Sequence, residues 1–143
     1  MSRFEAGGRG HRSVPHTADI RIEAWAPTRE TCLAEAVAGL VASFVEFAGA
    51  RPVRTATVDL TADSDADALV ELLDEVIYLL DTQGAVPIDT EVVPGPDGPG
   101  MRLHLALVAD LRPTGAVPKA VTLHDLRFGR TDGGWSCTVT IDV

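Results

Sequence analysis

Three short segments bring titratable side chains to the ends of β-rich stretches. HTAD at 16–19 places an imidazole and a carboxylate directly before an alternating apolar run. KAVTLH at 119–124 begins with a lysine and ends with a histidine, and IDV at 141–143 brings an acid to the end of another apolar run. Carboxylates and imidazoles bind metal ions or move protons, and an ammonium group holds anions. Each segment alone is also explained by a turn, a solvated strand lysine or a polar strand end.

The first half of the sequence predicts two strand–helix units. Apolar residues alternate over 19–26, which is typical of a strand with one buried face. Thr28 then offers an N-cap for an amphipathic helix that Gly49 is expected to end. A second strand is predicted over 53–60 and a second amphipathic helix over 65–81.

The second half predicts strands alone. Residues 86–93 and 101–111 flank a Pro/Gly-rich turn, and residues 119–128 and 135–143 flank a glycine-containing turn, so each pair predicts a β-hairpin. The element order is therefore β-α-β-α followed by four strands. Consecutive strands at the end favour an α+β fold, a two-layer sandwich with two helices on one face of a mixed or antiparallel sheet.

Composition limits the domain count and the class of partner. The 143 residues suffice for one domain, and we expect a flexible N-terminal arm over 1–13 and a single domain over 14–143. Twelve Lys and Arg against 21 Asp and Glu give a formal net charge of -9, the opposite of the basic face that strong nucleic-acid binding requires. The expected partner is therefore a protein or a cation.

The sequence also predicts the compartment. It contains no apolar run of about 20 residues that would span a membrane, and residues 1–15 show no signal peptide. Cys32 and Cys137 lack CxxC spacing and predict reduced thiols, with a disulfide as the alternative. We therefore expect a cytoplasmic protein that makes no membrane contact.

The acidic run DSDAD at 63–67 has carboxylates at the first, third and fifth positions of a calcium-binding EF-hand loop. The sixth position of that loop needs glycine and the twelfth needs glutamate, whereas Ala68 and Asp74 stand there. We therefore interpret the run as the cap of the second helix, with Ser64 or Asp65 accepting backbone N–H groups.

Taken together and in this order, HTADI at 16–20, KAVTLH at 119–124 and IDV at 141–143 resemble the archease family. Archeases are small proteins that assist RtcB-type RNA ligases in tRNA splicing and RNA repair. LVELLDEVIYLLDTQG at 69–84 is similar to the second helix of that family, and the resemblance spans about 14–143. It implies a β-α-β-α-β4 two-layer fold, which agrees with the fold that the residue pattern predicts.

The resemblance also implies a function and a set of residues. Archeases promote guanylylation of the ligase and let it complete many rounds, so the chain is expected to be an activator and not an enzyme. The divalent-metal site of the family falls on Asp19, Asp142 and a main-chain oxygen of Val143, with Ca²⁺ as the expected ion and Mg²⁺ or Mn²⁺ as alternatives. The functionally important lysine of the family falls on Lys119, which would engage the RtcB-type ligase or its guanylate.

Two histidines, His16 and His124, flank these positions and are expected to support the ligands without binding the metal. A hard cation takes oxygen ligands, so two carboxylates, a main-chain oxygen and waters would satisfy it. Asp19 and Asp142 can meet only if the first and last predicted strands are neighbours. This requirement makes the implied site a test of the fold.

The sequence departs from the family pattern at three places. Arg21 follows HTADI where the family usually has glycine, Leu123 stands where an aromatic residue is common, and Val143 replaces isoleucine. These departures bear on partner choice and metal affinity more than on the fold. Arg21 would weaken cation binding if it shares a face with the carboxylates, and would be harmless on the other face of the strand.

Two other function classes are compatible with the same residues. A stand-alone metal-dependent hydrolase or chaperone-like protein would use the same carboxylates and would need an enclosed pocket beside Asp19. An acidic interaction module would bind a basic partner through the helix predicted over 65–81 and would need no metal.

Overall fold

The computed structural model describes residues 7–15, without the side chain of Pro15, and residues 19–143. Two helices and nine strands follow one another along these residues. Their bounds are β1 Gly10–Pro15, β2 Asp19–Ala26, α1 Arg29–Ala42, β3 Val45–Glu46, β4 Arg54–Asp59, α2 Asp65–Gln83, β5 Ala85–Pro94, β6 Pro99–Leu107, β7 Arg112–Pro113, β8 Ala120–Thr131 and β9 Gly134–Asp142.

The described strands form three antiparallel sheets. A four-stranded sheet has the order β1-β2-β9-β8, a three-stranded sheet has the order β4-β6-β5, and β3 pairs with β7. The predicted α+β class, with two helices and antiparallel strands, is confirmed. The two C-terminal hairpins, however, belong to different sheets, because β6 pairs with β4 whereas β9 pairs with β2.

The core lies between the two helices and the inner faces of the two larger sheets. Helix α1 contacts β2, β5 and β9, and α2 contacts β5 and β8. Burying these apolar faces is the main favourable contribution to folding. The largest fully buried side chains are Phe44, Ile22, Leu33, Leu40, Leu60, Leu69, Leu72, Leu73, Met101, Leu103, Leu105 and Ile141.

Both helix starts agree with the sequence. The Thr28 side chain accepts the Thr31 backbone N–H in a capping box, and the Ser64 side chain accepts the Asp67 N–H. The acidic run 63–67 is therefore a helix start, and Asp65 pairs with Arg29 at 2.6 Å.

The predicted end of the first helix was wrong. Helix α1 ends at Ala42, because the chain then turns to form β3 and the Phe44 carbonyl accepts the Thr114 N–H at 2.8 Å. Helix α2 ends where Gly84 takes the left-handed conformation, at φ 61°.

The N-terminal segment is more ordered than the sequence suggested. Residues 10–13, for which the sequence predicts a flexible arm, belong to β1 and pair with β2. The imidazole of His11 and the guanidinium of Arg9 both contact Glu35 on α1, and Arg12 pairs with Glu23. Gly39 permits this packing, because a Cβ there would lie 3.1 Å from the Cβ of His11. Residues 1–6 lie outside the described residues.

No helix among the described residues is long and apolar enough to cross a membrane. Cys32 and Cys137 are both free and buried, which agrees with the prediction of two reduced thiols. A hydrogen bond with Cys137, together with burial, raises the pKa of the Cys32 thiol. Both cysteines therefore behave as small apolar residues of the core.

Candidate functional site

The first and last predicted strands are neighbours, as the implied site requires. Strand β2 begins at Asp19, β9 ends at Asp142, and these two residues are directly opposed in the antiparallel register. On its other side, Asp142 opposes Ala120 of β8. The Lys119 backbone N–H donates to the Asp142 carbonyl at 2.7 Å. One end of the sheet thus brings together backbone segments 123 residues apart in sequence, counted from 19 to 142.

Strand alternation places the two carboxylates on the outer face of this sheet. Ile22 on β2 and Ile141 on β9 are fully buried toward the helices, so Asp19 and Asp142 belong to the opposite face. Asp142 is exposed and Asp19 is half-buried. Within the described part of the chain, neither carboxylate has an ion pair or a side-chain hydrogen bond.

This opposition has an electrostatic consequence. Directly opposed residues of antiparallel strands have Cβ atoms about 4.5–5.5 Å apart, and like charges in such a pair destabilise the sheet. A divalent cation between the two carboxylates would remove the repulsion and take the oxygen ligands it prefers. The arrangement therefore fits a hard cation.

The site supplies few protein ligands. The residues described by the structure include no group of three or more His, Cys, Asp or Glu side chains able to hold a metal. A cation at Asp19 and Asp142 would need main-chain oxygen and water to complete its shell. Val143 follows Asp142 directly and is half-buried. Its main-chain oxygen is therefore the candidate metal ligand nearest in sequence to Asp142.

The backbone of Lys119 lies beside this site, and the same residue also lines a different surface. It stands one residue before Ala120, the partner of Asp142, and it is exposed. Lys119 lines a groove of about 1030 Å³ between α2 and residues 117–119. In the described part of the chain, no ion pair joins the Lys119 ammonium to either carboxylate.

Of the two histidines expected beside the site, the structure describes only His124. His124 lies in a bulge of β8, where residues 123–126 leave the register with β9. Its side chain is 81% exposed and its Nε2 lies 3.2 Å from Oδ2 of Asp125, a residue with φ 55°. The bulge thus pairs His124 with its own neighbour, which the alternating sequence pattern did not indicate. His16 lies outside the described residues.

Arg21 shares the outer face with both carboxylates. It follows Asp19 by two residues on β2 and opposes Thr140 on β9. Its Nε atom is buried without a hydrogen-bond partner among the described residues. The alternative that Arg21 occupies the other face of the strand is therefore wrong, and its positive charge lies on the side where a cation would bind.

These features define a small α+β protein in which two helices pack against antiparallel sheets and a carboxylate pair lies at the end of the four-stranded sheet. The model of the Archease protein family (MTH1598/TM1083) matches residues 11–143, and the chain belongs to this family.

Its relatives cover nearly all of the chain. It is 52% identical over 134 residues to the "Probable protein archease" of Mycobacterium tuberculosis H37Rv, covering 94% of this chain and 75% of that protein. It is 29% identical over 136 residues to the "Protein archease" of Archaeoglobus fulgidus, covering 93% and 98% of the two chains.

Solved structures share the fold. Protein 1598 of Methanobacterium thermoautotrophicum superposes with a TM-score of 0.74 at 19% identity, covering 94% of this chain and 99% of that one. An archease of Thermotoga maritima, described as a possible chaperone, superposes with a TM-score of 0.68 at 20% identity, covering 91% and 94%. At these identities the likeness concerns the fold.

Proposed function

We propose that this chain activates an RtcB-type RNA ligase, promoting guanylylation of the ligase and its repeated turnover in tRNA splicing or RNA repair. The observation that supports this most is the direct opposition of Asp19 and Asp142 at one end of the sheet. These are the two carboxylates to which the resemblance assigned a metal, and the fold makes them neighbours. Activators of this kind act by contact, so an exposed site suits the role.

We propose that the two carboxylates hold a divalent cation, with Ca²⁺ first and Mg²⁺ or Mn²⁺ as alternatives. When bound, the cation would supply positive charge and coordination positions open to an oxygen of the partner. Asp19 and Asp142 would bind it, and the N–H of Lys119 fixes the last residues of β9 by holding the Asp142 carbonyl. The pairing of β9 with strands on both sides keeps the carboxylates in place.

The Lys119 side chain would contact the ligase rather than the metal. It is exposed, and it has no ion pair within the described residues. An ammonium group on an exposed site can hold an acidic side chain of the ligase or its guanylate phosphate. The adjoining backbone places this contact beside the carboxylate pair.

The exposure of Asp142 favours the activator over a hydrolase. A hydrolase excludes water from its reacting groups, because electrostatic stabilisation is weak in bulk solvent. A carboxylate at an open sheet end does not offer that environment. It is reached more readily by a second protein.

The test is an RNA-ligation time course with the ligase of the same source, GTP and Mn²⁺, with RNA in large excess over ligase. The wild-type chain should convert a single round into many, while Asp19→Ala and Lys119→Ala should leave the ligase near one round. Asp97→Ala, in the exposed turn between β5 and β6, is the matched control and should activate like wild type. If the wild-type chain leaves the number of rounds unchanged, the proposed function is wrong.

A further inference from the structure

The groove that Lys119 borders is built mainly from one stripe of α2. Its helical wall contains Glu71, Asp74, Glu75, Tyr78 and Asp81. Glu71, Asp74, Tyr78 and Asp81 are three or four residues apart in succession, and Glu75 is four residues from Glu71 and three from Tyr78, so all five share one side of the helix. Residues 117–119 form the opposite wall, and the volume between them is about 1030 Å³.

The four carboxylates of this stripe have no ion pair within the described part of the chain. Several acidic residues elsewhere in the described structure are paired: Glu35, Glu91 and Asp65 each contact an arginine. Glu71 and Glu75 are four residues apart, a spacing at which like charges destabilise a helix.

Two further details show that the stripe is not arranged for helix stability. Asp81 lies near the C-terminal end of α2, whose last turn contains no basic residue, although the helix dipole favours positive charge there. Burial raises the pKa of Asp74, so this carboxylate is partly desolvated, and no cation among the described residues compensates for it. A positive group from outside the chain would relieve all of these unfavourable interactions.

The groove also contains apolar surface. Tyr78 and Val117 are each 58% exposed although they line the same groove, and Ile77 and Leu80 lie between the acidic positions. An exposed tyrosine ring surrounded by carboxylates suits a guanidinium, which stacks on the ring and pairs with the acids. The combination therefore recognises an arginine together with an apolar side chain.

A polypeptide segment meets these requirements better than an ion or a nucleic acid. The groove is as large as sites that hold whole organic ligands, and its carboxylates form no metal-binding group among the described residues. Phosphate backbones would be repelled, because the four acids of the groove outnumber its one lysine. Charge complementarity leaves a basic segment of a protein as the occupant.

We propose that this groove docks a basic, arginine-containing segment of the ligase, an inference that rests on the proposed activator function. Lys119 joins the two surfaces, because it lines the groove and its backbone N–H donates to the Asp142 carbonyl. A segment seated against α2 would therefore bring the ligase to the end of the sheet where the carboxylates lie. The groove supplies affinity, and the carboxylate pair is left for the contact that activates.

The experiment measures ligase binding by calorimetry for the full chain and two charge-matched double variants. E71K/E75K reverses two charges of the groove, while D97K/D132K reverses two exposed acids in the β5–β6 and β8–β9 turns. We expect at least tenfold weaker binding for E71K/E75K and less than about threefold for the control, with the difference shrinking in high salt. Equal weakening of both variants overturns the proposal, since it shows a response to net charge alone.

A substitution that leaves the net charge unchanged tests the groove independently of electrostatics. Tyr78→Ala should weaken binding at least threefold, while circular dichroism and Ca²⁺ affinity stay unchanged because the ring is exposed and lies on α2. Unchanged binding by Tyr78→Ala would overturn the groove as the docking site.

The two proposals fail in different ways. If the wild-type chain raises ligase turnover and E71K/E75K binds as tightly as D97K/D132K, the groove proposal is wrong and the activator function stands. If the wild-type chain neither binds the ligase nor raises its turnover, both are wrong.

Discussion

Acidic residues on two sides of the molecule have opposite surroundings. Next to β1, Glu35 is contacted by Arg9 and by Nδ1 of His11 at 2.9 Å. At the end of the sheet and along α2, Asp142 and Glu71 have no such partner within the described residues. A fold that neutralises some carboxylates and not others separates charge used for its own stability from charge available to a ligand.

The largest effect of a mutation is expected at the carboxylate pair of Asp19 and Asp142. Asp142→Asn should weaken divalent-cation binding at least tenfold, because it removes one of two carboxylate ligands. In chelator, the same variant should be at least as stable as wild type, because the repulsion with Asp19 is gone. Calorimetry with Ca²⁺ and thermal unfolding with and without the ion measure both. Tight Ca²⁺ binding by Asp142→Asn would show that the pair is not the metal site.

The paired side should respond in the opposite sense. Glu35→Ala should lower the free energy of unfolding by about 1–2 kcal/mol, because charge-assisted hydrogen bonds to His11 and Arg9 are lost. Urea unfolding monitored by circular dichroism gives this value. Asp97→Ala, at an exposed turn, is the control and should change it by less than about 0.5 kcal/mol. If Glu35→Ala lost ligase activation and kept its stability, Glu35 would belong with the carboxylates available to a ligand, and the distinction between the two sides would be wrong.

The same pair predicts a pH dependence. The hydrogen bond from His11, and then the contact with Arg9, lower the pKa of Glu35 below its ordinary value of 4.5. A lowered folded-state pKa stabilises the protein fully above the unfolded-state pKa, and this contribution is lost as pH falls through the folded-state pKa. The difference in stability between wild type and Glu35→Gln should therefore be largest near neutral pH and shrink below about pH 4.5. A constant difference from pH 7 to pH 3 would assign the effect to packing.

Part of this comparison was accessible from the sequence. Strand β2 and the start of α2 were predicted because alternation and helical periodicity are local signals. The meeting of Asp19 with Asp142 followed from the family resemblance, since sheet order over such a separation has no local signature. Strand β1 was missed because its stability comes from Glu35 and Glu23, which no nearby sequence pattern links to residues 10–13.

The groove beside α2 and the bulge of β8 could not be predicted from local sequence patterns either. Helical spacing puts Glu71 and Tyr78 on one side of α2, but only the tertiary structure sets residues 117–119 across from them. The displacement of His124 arises from a change of register between β8 and β9, which periodic alternation does not encode. Local chemistry was thus predictable, and distant juxtaposition was not.

A smaller effect is expected at Arg21. Its charge lies on the face of the carboxylate pair, so Arg21→Gly should raise cation affinity by about two- to fivefold, the size of an interaction between charges that solvent partly screens. Arg21→Gln keeps a long side chain and should give a similar gain if charge is the cause. Calorimetry with Ca²⁺ decides, and a gain for glycine alone would assign the effect to backbone freedom instead.

The smallest effect is expected in the groove, at Asp74. Burial raises its pKa, so the charged form is disfavoured in the folded protein and destabilises it at neutral pH. Asp74→Asn should therefore raise the free energy of unfolding by up to about 0.5 kcal/mol at pH 7, a value kept small because the side chain is exposed. The gain should disappear at acidic pH, once the wild-type carboxyl is protonated. If Asp74→Asn also binds the ligase more weakly, the Asp74 carboxylate lowers the stability of the protein and raises its affinity for the ligase. A residue that serves binding at the expense of stability is expected to behave in this way.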